Sequence, residues 1–386
     1  MADSNPVATP LHRPRTENPI FNANKLKLGI FGLNGKGTAN TTAPEVHRPE
    51  WKRVRKAAQL ADVMGLEAIV AYSRWKAHEA GKLEHQSGVI LDPFTWAAGI
   101  AEATQHAGVF ATSHAPTIHP VTAAKMCATI DIISEGRFGL NIVAGWNQPE
   151  LEMFGAPLKE HDKRYDHLAE WLEIIKQLWT SDEEIDFDGE FFKIIKGASR
   201  PKPYQRPFPP IMNAGSSGRG RDFALEAADM CFVQVRSEDP EEQRAQVDEY
   251  KRVAREKFGR EVQVWMMANI FQRDTNAEAE AFLQRVAVEY ADNDSIDAWA
   301  AQLAINTRSM TPAQQGGLRL RAAAGAGGSI LVGDADRVAE QLQGFSDVGI
   351  DGVLIGFVDF EDGLTRLRDG VLPRLEDRGL RLPFRP

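Results

Sequence analysis

Cysteine is almost missing from this 386-residue chain: there are two, Cys127 and Cys231, each in apolar surroundings. That excludes a disulfide scaffold and a paired Cys-x-x-Cys site, and it points to reduced core thiols and a cytoplasmic protein. Long hydrophobic runs are missing as well. No stretch of about 18 apolar residues occurs to cross a membrane, and no leader-like pattern opens the chain. Positive charge is not in excess; the formal net charge of −9 argues against a nucleic-acid or anionic-membrane partner. Familiar motifs also fail. Gly32-Leu-Asn-Gly-Lys-Gly-Thr38 lacks the spacing of a Walker loop, and no G-x-G-x-x-G leaves a strand to open a helix. There is no H-E-x-x-H, and no histidines in His-x-His spacing, so no metal site is expected.

What is present is an ordinary globular composition, 43% apolar and 26% charged, organised as alternating strand and helix. Strand-length apolar runs stand at Leu26–Leu33, Ala68–Ala71, Gly108–Thr112, Phe138–Val143, Ile211–Ala214, Cys231–Val235, Gln263–Phe271 and Gly352–Phe357. They are apolar throughout, as strands covered on both faces are. Between them the period changes to that of a helix; in 163–179, Leu168, Leu172, Ile175 and Trp179 recur every three or four residues. Eight strands in this order predict an α/β fold, a single (β/α)8 TIM barrel, with an open doubly wound sheet as runner-up. Residues 1–24 read as an extended N-terminal arm and 25–386 as the barrel domain. Three insertions are expected: 74–92 after the second strand, a hairpin around Asp188-Gly189 between strands four and five, and 291–329 after strand seven. Residues 305–328 of the last are a candidate lid.

Chemistry concentrates at strand ends. The run Phe138–Val143 is interrupted by one amide, Asn141, and closes on Gly145-Trp146. A polar group in a buried strand is costly unless paired, and the C-terminal rim of such a barrel is where sites form. Thr112 and His114 leave the third strand in the same way. Two segments suit an anion. His161-Asp-Lys-Arg-Tyr165 opens a long helix and offers the fork of Arg164; Asn213-Ala-Gly-Ser-Ser217 leaves a strand, enters another helix and offers Ser216 and Ser217. Together they suit one phosphate group.

The segments Ala128–Trp146, His161–Tyr165, Phe187–Phe192, Arg200-Pro-Lys-Pro203 and Asn213–Ser217, in that order, resemble the bacterial luciferase-like flavin monooxygenases. Within them the match is nearest to the pyrimidine and dimethyl sulfone monooxygenase branch. The resemblance implies a barrel that uses reduced FMN and O2, with a separate NAD(P)H:flavin reductase as partner, to oxygenate or cleave a small sulfone, sulfonate or N-heterocycle. It also implies a homodimer or homotetramer. Carried over residue by residue, it assigns Ser73, Arg74, Asn141, Glu150, Arg164, Tyr165, Ser216 and Ser217 to the cofactor, and Thr112 with Asn141 to catalysis. The segment Trp75-Lys-Ala-His-Glu-Ala-Gly81 departs from the glycine-rich turn of those relatives, which leaves the substrate open. A deazaflavin-dependent oxidoreductase and a non-catalytic flavin-binding barrel subunit are the alternatives.

Overall fold

The computed structural model describes residues 12–78, 82–216, 218–235, 237–302 and 312–385. The apolar runs become eight parallel strands: β1 (Lys27–Phe31), β2 (Ala68–Val70), β3 (Gly108–His114), β4 (Phe138–Val143), β5 (Ile211–Asn213), β6 (Met230–Val233), β7 (Gln263–Gln272) and β8 (Gly352–Gly356). Each strand pairs with its sequence neighbour, and β8 pairs back onto β1 with Val353 beside Leu28. That last pairing closes the sheet, so the fold is a (β/α)8 barrel and not the open sheet. One helix follows each strand: α1 (Trp51–Val63), α2 (Pro93–Ala103), α3 (Pro120–Ile133), α4 (His161–Thr180), α5 (Gly218–Ala227), α6 (Pro240–Phe258), α7 (Ala335–Asp347) and α8 (Phe360–Arg366).

Two faces of each strand are buried, which is why the runs do not alternate with polar residues. Inward side chains, among them Ala68, Val70, Phe110, Met212, Trp265 and Leu354, fill the cylinder. The outward set packs under the helices. On α4 the one-faced stripe docks against α3 and the turn before it, where Trp171 Nε1 donates to Ile118 O at 2.8 Å and Trp179 Nε1 donates to Ala124 O at 3.0 Å. Each indole thus buries its ring with its polar atom satisfied, and truncating either would cost about 3–5 kcal/mol. The turn that leads from α3 into β4 uses Gly136 at φ 81°, a left-handed backbone that a side chain would strain.

The floor of the barrel is closed by both ends of the chain. Residues 12–24 run beneath it; Arg13–Pro14 pairs in parallel with Gln205–Arg206, and Ile20 inserts into the interior cluster. Glu67, fully buried, takes hydrogen bonds from Leu28 N and Arg381 Nη1, both at 2.7 Å, and from Asn22 and Asn24 at 2.8 and 2.6 Å.

Alongside α4, the hairpin pairs Ile185–Asp188 with Lys193–Gly197. Its turn spans residues 189–192, and the Glu170 carboxylate on α4 accepts the N–H groups of Glu190 and Phe191 at 2.8 and 2.9 Å. Strand β7 outruns β6, whose pairing stops at Met266; its upper half is joined by a further strand, Ser329–Gly333. Helices Asn276–Gln284, Asn293–Gln302 and Pro312–Gly325 precede that strand. Residues 305–311 of the candidate lid lie outside the described residues. No helix of the described residues is long and apolar enough to cross a membrane.

Candidate active site

Register brings the two candidate catalytic side chains together. Thr112 on β3 is the lateral partner of Asn141 on β4, so their side chains leave the sheet on the same face. That face is the interior, since Phe110, two residues before Thr112, belongs to the interior cluster. Asn141 Nδ2 donates to Thr112 Oγ1 at 2.8 Å, and the Thr112 hydroxyl donates to Ala71 O. The pair is buried, yet Asn141 Oδ1 has no hydrogen-bond partner. By donor count, one N–H and both carbonyl lone pairs of Asn141 remain unused. Phe31 and Phe232 stack with centroids 6.4 Å apart and pack, partly buried, on the interior cluster.

A second group surrounds the segment after β2. Ser73 is buried. Arg74 meets His78 Nδ1 at 2.9 Å and lies over the Trp146 ring at 5.4 Å. Glu150 sits in the short helix Gln148–Met153; its Oε1 accepts the N–H groups of Trp75 and Lys76 at 2.9 and 3.1 Å. The post-β2 and post-β4 loops are therefore stapled together by one carboxylate. Burial first, then Arg74, drives the His78 imidazole down to about 3, so it stays neutral at physiological pH.

The third group lies at the start of α5. Tyr165 packs against Gly220, where an added Cβ would stand 2.6 Å from the phenol oxygen, and this holds the ring beside the helix N-terminus. Exposed Ser216 stands two residues before that terminus; Ser217 lies outside the described residues. Arg164 Nη1 donates to Gly145 O at 2.9 Å, while its buried Nε has no partner. Gly145 adjoins Trp146, so the arginine reaches the same loop that Arg74 stacks on. The structure thus brings Arg164, Tyr165 and Ser216 to one side of the rim, and Ser73, Arg74 and Glu150 to another, with Thr112 and Asn141 between the strands that carry them.

The glycine-rich run before Ser329 packs against β7. A Cβ on Gly325 would meet Asn269 Oδ1 at 2.1 Å, so only glycine allows the backbone to rest on this residue of β7. Asn269 also joins Thr38, after β1, to Gly325 O at 2.9 Å. Beside it, a cavity of about 60 Å³ opens between Phe232, Gln234, Met267 and residues 326–329.

Comparison with known proteins decides what these groups belong to. The sequence profile of the luciferase-like monooxygenases matches residues 26–352. The chain belongs to the luciferase-like monooxygenase family. It is 30% identical over 338 residues to an FMNH2-dependent dimethylsulfone monooxygenase of Pseudomonas putida, covering 84% of this chain and 87% of that one. To the pyrimidine monooxygenase RutA of Acinetobacter baylyi it is 29% identical over 365 residues, covering 92% and 95%. Among solved structures, a long-chain alkane monooxygenase, LadA, superposes with a TM-score of 0.81 at 22% identity, covering 95% of this chain and 94% of that one. DmoA of Hyphomicrobium sulfonivorans gives 0.80 at 20%, covering 94% and 90%. At such identity these two likenesses show the fold.

Within this luciferase-like barrel, three polar residues at the mouth were not singled out by sequence. Lys36 is buried, bonded to Ala39 O and to Asn40 Oδ1 at 3.0 Å, and burial pushes its ammonium down to about 7. The signal was the Gly-Lys-Gly turn after β1, set aside because it lacks Walker spacing. His78 sits inside the segment that departs from the relatives. Asn147 is buried with both amide atoms unpartnered; its only signal was its place just beyond Trp146.

Proposed function

We propose that this chain is a two-component monooxygenase. It takes reduced FMN from a separate NAD(P)H:flavin reductase and uses O2 to oxygenate or cleave a small sulfone, sulfonate or N-heterocycle. The observation that carries this reading is the Thr112–Asn141 pair, buried at the barrel mouth with an unpaired amide oxygen. An orphaned buried acceptor is costly in a structural role and is expected where a ligand N–H completes it. The residues fit the cofactor. The N-terminus of α5, Ser216, Tyr165 and the unused Nε–H of Arg164 would hold a phosphate, and the apolar Phe31 and Phe232 would suit a planar ring. When bound, reduced FMN supplies the electrons for oxygen chemistry.

The protein's part is positioning and exclusion. Thr112 spends its hydroxyl proton on Ala71 O, which fixes its lone pairs toward Asn141 and leaves the second Asn141 N–H free. That N–H is held, before any reaction, where negative charge develops on oxygen; such preorganised donors contribute about 3 kcal/mol. Arg164 and Ser216 anchor the phosphate end, while Ser73, Arg74 and Glu150 wall the ring. The candidate lid, residues 305–328, would exclude water from the mouth. Relatives that act on dimethylsulfone and on pyrimidines support the substrate classes. The two buried free thiols support a cytoplasmic address, and a homo-oligomer completes the reading.

The test is a fluorescence titration with FMN followed by oxygen uptake with reduced FMN supplied by a reductase. Asn141→Ala should keep FMN affinity within severalfold and lose product formation by roughly 100-fold or more. Normal turnover by that variant would remove Asn141 from catalysis.

A further inference from the structure

His114 lies on the inner face of β3, two residues beyond Thr112, so its ring faces the same mouth as the Thr112–Asn141 pair. It is 4% exposed. Its Nδ1 is sealed from solvent and has no hydrogen-bond partner. The nearest carboxylate oxygen is Glu150 Oε2 at 3.9 Å. Glu150 is itself buried and cannot swing away, because its other oxygen is pinned by the backbone N–H groups of Trp75 and Lys76.

The chemistry of that arrangement is restrictive. A carboxylate only accepts hydrogen bonds, so it favours the tautomer with the proton on Nδ1. Nε2 is then the acceptor of the ring. The ring does not ionise near neutral pH, since burial, and then the Arg74 guanidinium, holds it down at about 4. Arg74 and Glu150 are the charged groups that face it. Nothing among the described residues satisfies either ring nitrogen.

We propose that His114 is a substrate-binding residue whose Nε2 accepts a hydrogen bond from an N–H or O–H of the substrate, with Glu150 as the positioning residue that fixes its tautomer. This rests on the monooxygenase reading and deepens it. The substrate class becomes small neutral molecules that carry a donor, such as cyclic amides and ureides. Sulfones, which offer acceptors alone, would leave the imidazole unpaired. Sites built around one buried hydrogen bond reject analogues that lack the donor by factors up to about 10⁴.

The experiment compares uracil and hydantoin with their N,N′-dimethyl counterparts and with dimethyl sulfone, using full-length protein, reduced FMN and O2. Oxygenated product and peroxide release are read together. A ¹⁵N spectrum of the FMN-free protein reports the His114 tautomer independently of turnover. Wild type should use the N–H probes at least about 100-fold better in kcat/KM than the methylated ones, and the spectrum should show the Nδ1–H form. His114→Ala should lose that preference, mainly through KM, with FMN affinity unchanged; simple steric exclusion of methyl groups would instead survive the substitution. Glu150→Gln should shift the tautomer. Equal use of both probe sets, preference for the sulfone, an Nε2–H tautomer, or no turnover of any probe by a protein that still releases peroxide would each overturn the assignment. A wild type that neither binds FMN nor consumes oxygen would sink the monooxygenase reading itself, a separate failure.

Discussion

The two ends of this barrel treat buried polarity in opposite ways. At the floor, Glu67 and Arg381 form an ion pair at 2.7 Å with side chains 0% and 3% exposed, and the remaining lone pairs of Glu67 are taken by backbone and asparagine N–H groups. Arg137 likewise spends its guanidinium on the carbonyls of Ala101, Thr104 and Ala107. At the mouth, Asn141 Oδ1, His114 Nδ1, both amide atoms of Asn147 and Arg164 Nε are buried without a partner. The Glu67–Arg381 and Arg137 clusters of the floor are fully paired and hold the ends of the chain, although Arg15 Nε and His106 Nε2 are unpartnered there. A mouth left unpaired carries a standing cost in stability, which a ligand can relieve.

That contrast can be broken by substitution. The largest effect is expected from Glu67→Ala, which strands Arg381 as an uncompensated buried charge and should lower unfolding free energy by about 3–5 kcal/mol in a urea titration. A loss under 1 kcal/mol would mean the floor pair is not structural. Arg164→Ala at the mouth should leave the urea midpoint nearly unchanged. It should weaken FMN by roughly 10- to 150-fold, the equivalent of about 1.5–3 kcal/mol for one charge-assisted hydrogen bond. Unchanged affinity in a flavin fluorescence titration would take Arg164 out of the phosphate site.

The smallest and most graded effect is on pH. Burial, followed by a neighbouring cation, lowers His47, His114 and His167 to about 4 and His78 to about 3, from 6.5. The unfolded chain then binds more protons than the folded one, so stability should fall as pH drops from about 6.5 toward 4. Asp131, near the floor, is raised by burial from 3.8 to about 6 despite its bonds to Gln205, so it works the other way between those values. Lys36 at the mouth, lowered from 10.5 to about 7, should add stability as pH rises between them. A melting temperature flat from pH 6.5 to 4 would contradict the buried neutral histidines.

Much of this was legible in the chain. The eight strands and the helices between them follow from apolar runs and their change of period, signals that are local. The interruption at Asn141 was legible for the same reason, because one amide inside an apolar strand stands out against its neighbours. Glu67 was not. A lone acid before a strand looks solvated until Arg381, distant in sequence, arrives beneath it. His114 and Glu150 were visible as residues, but the 3.9 Å between them was not. The hairpin at Asp188-Gly189 was legible, but the Glu170 carboxylate that caps its turn was not.

The sequence alone determined the element types, the order that makes a barrel, and the presence of polar side chains at strand ends, since each depends on residues within a few positions. Closure of β8 onto β1, the lateral match of Thr112 with Asn141, and the assembly of the mouth were decided by tertiary structure. Those depend on register between distant strands, where a slip of one residue would turn every inward side chain out to the helices.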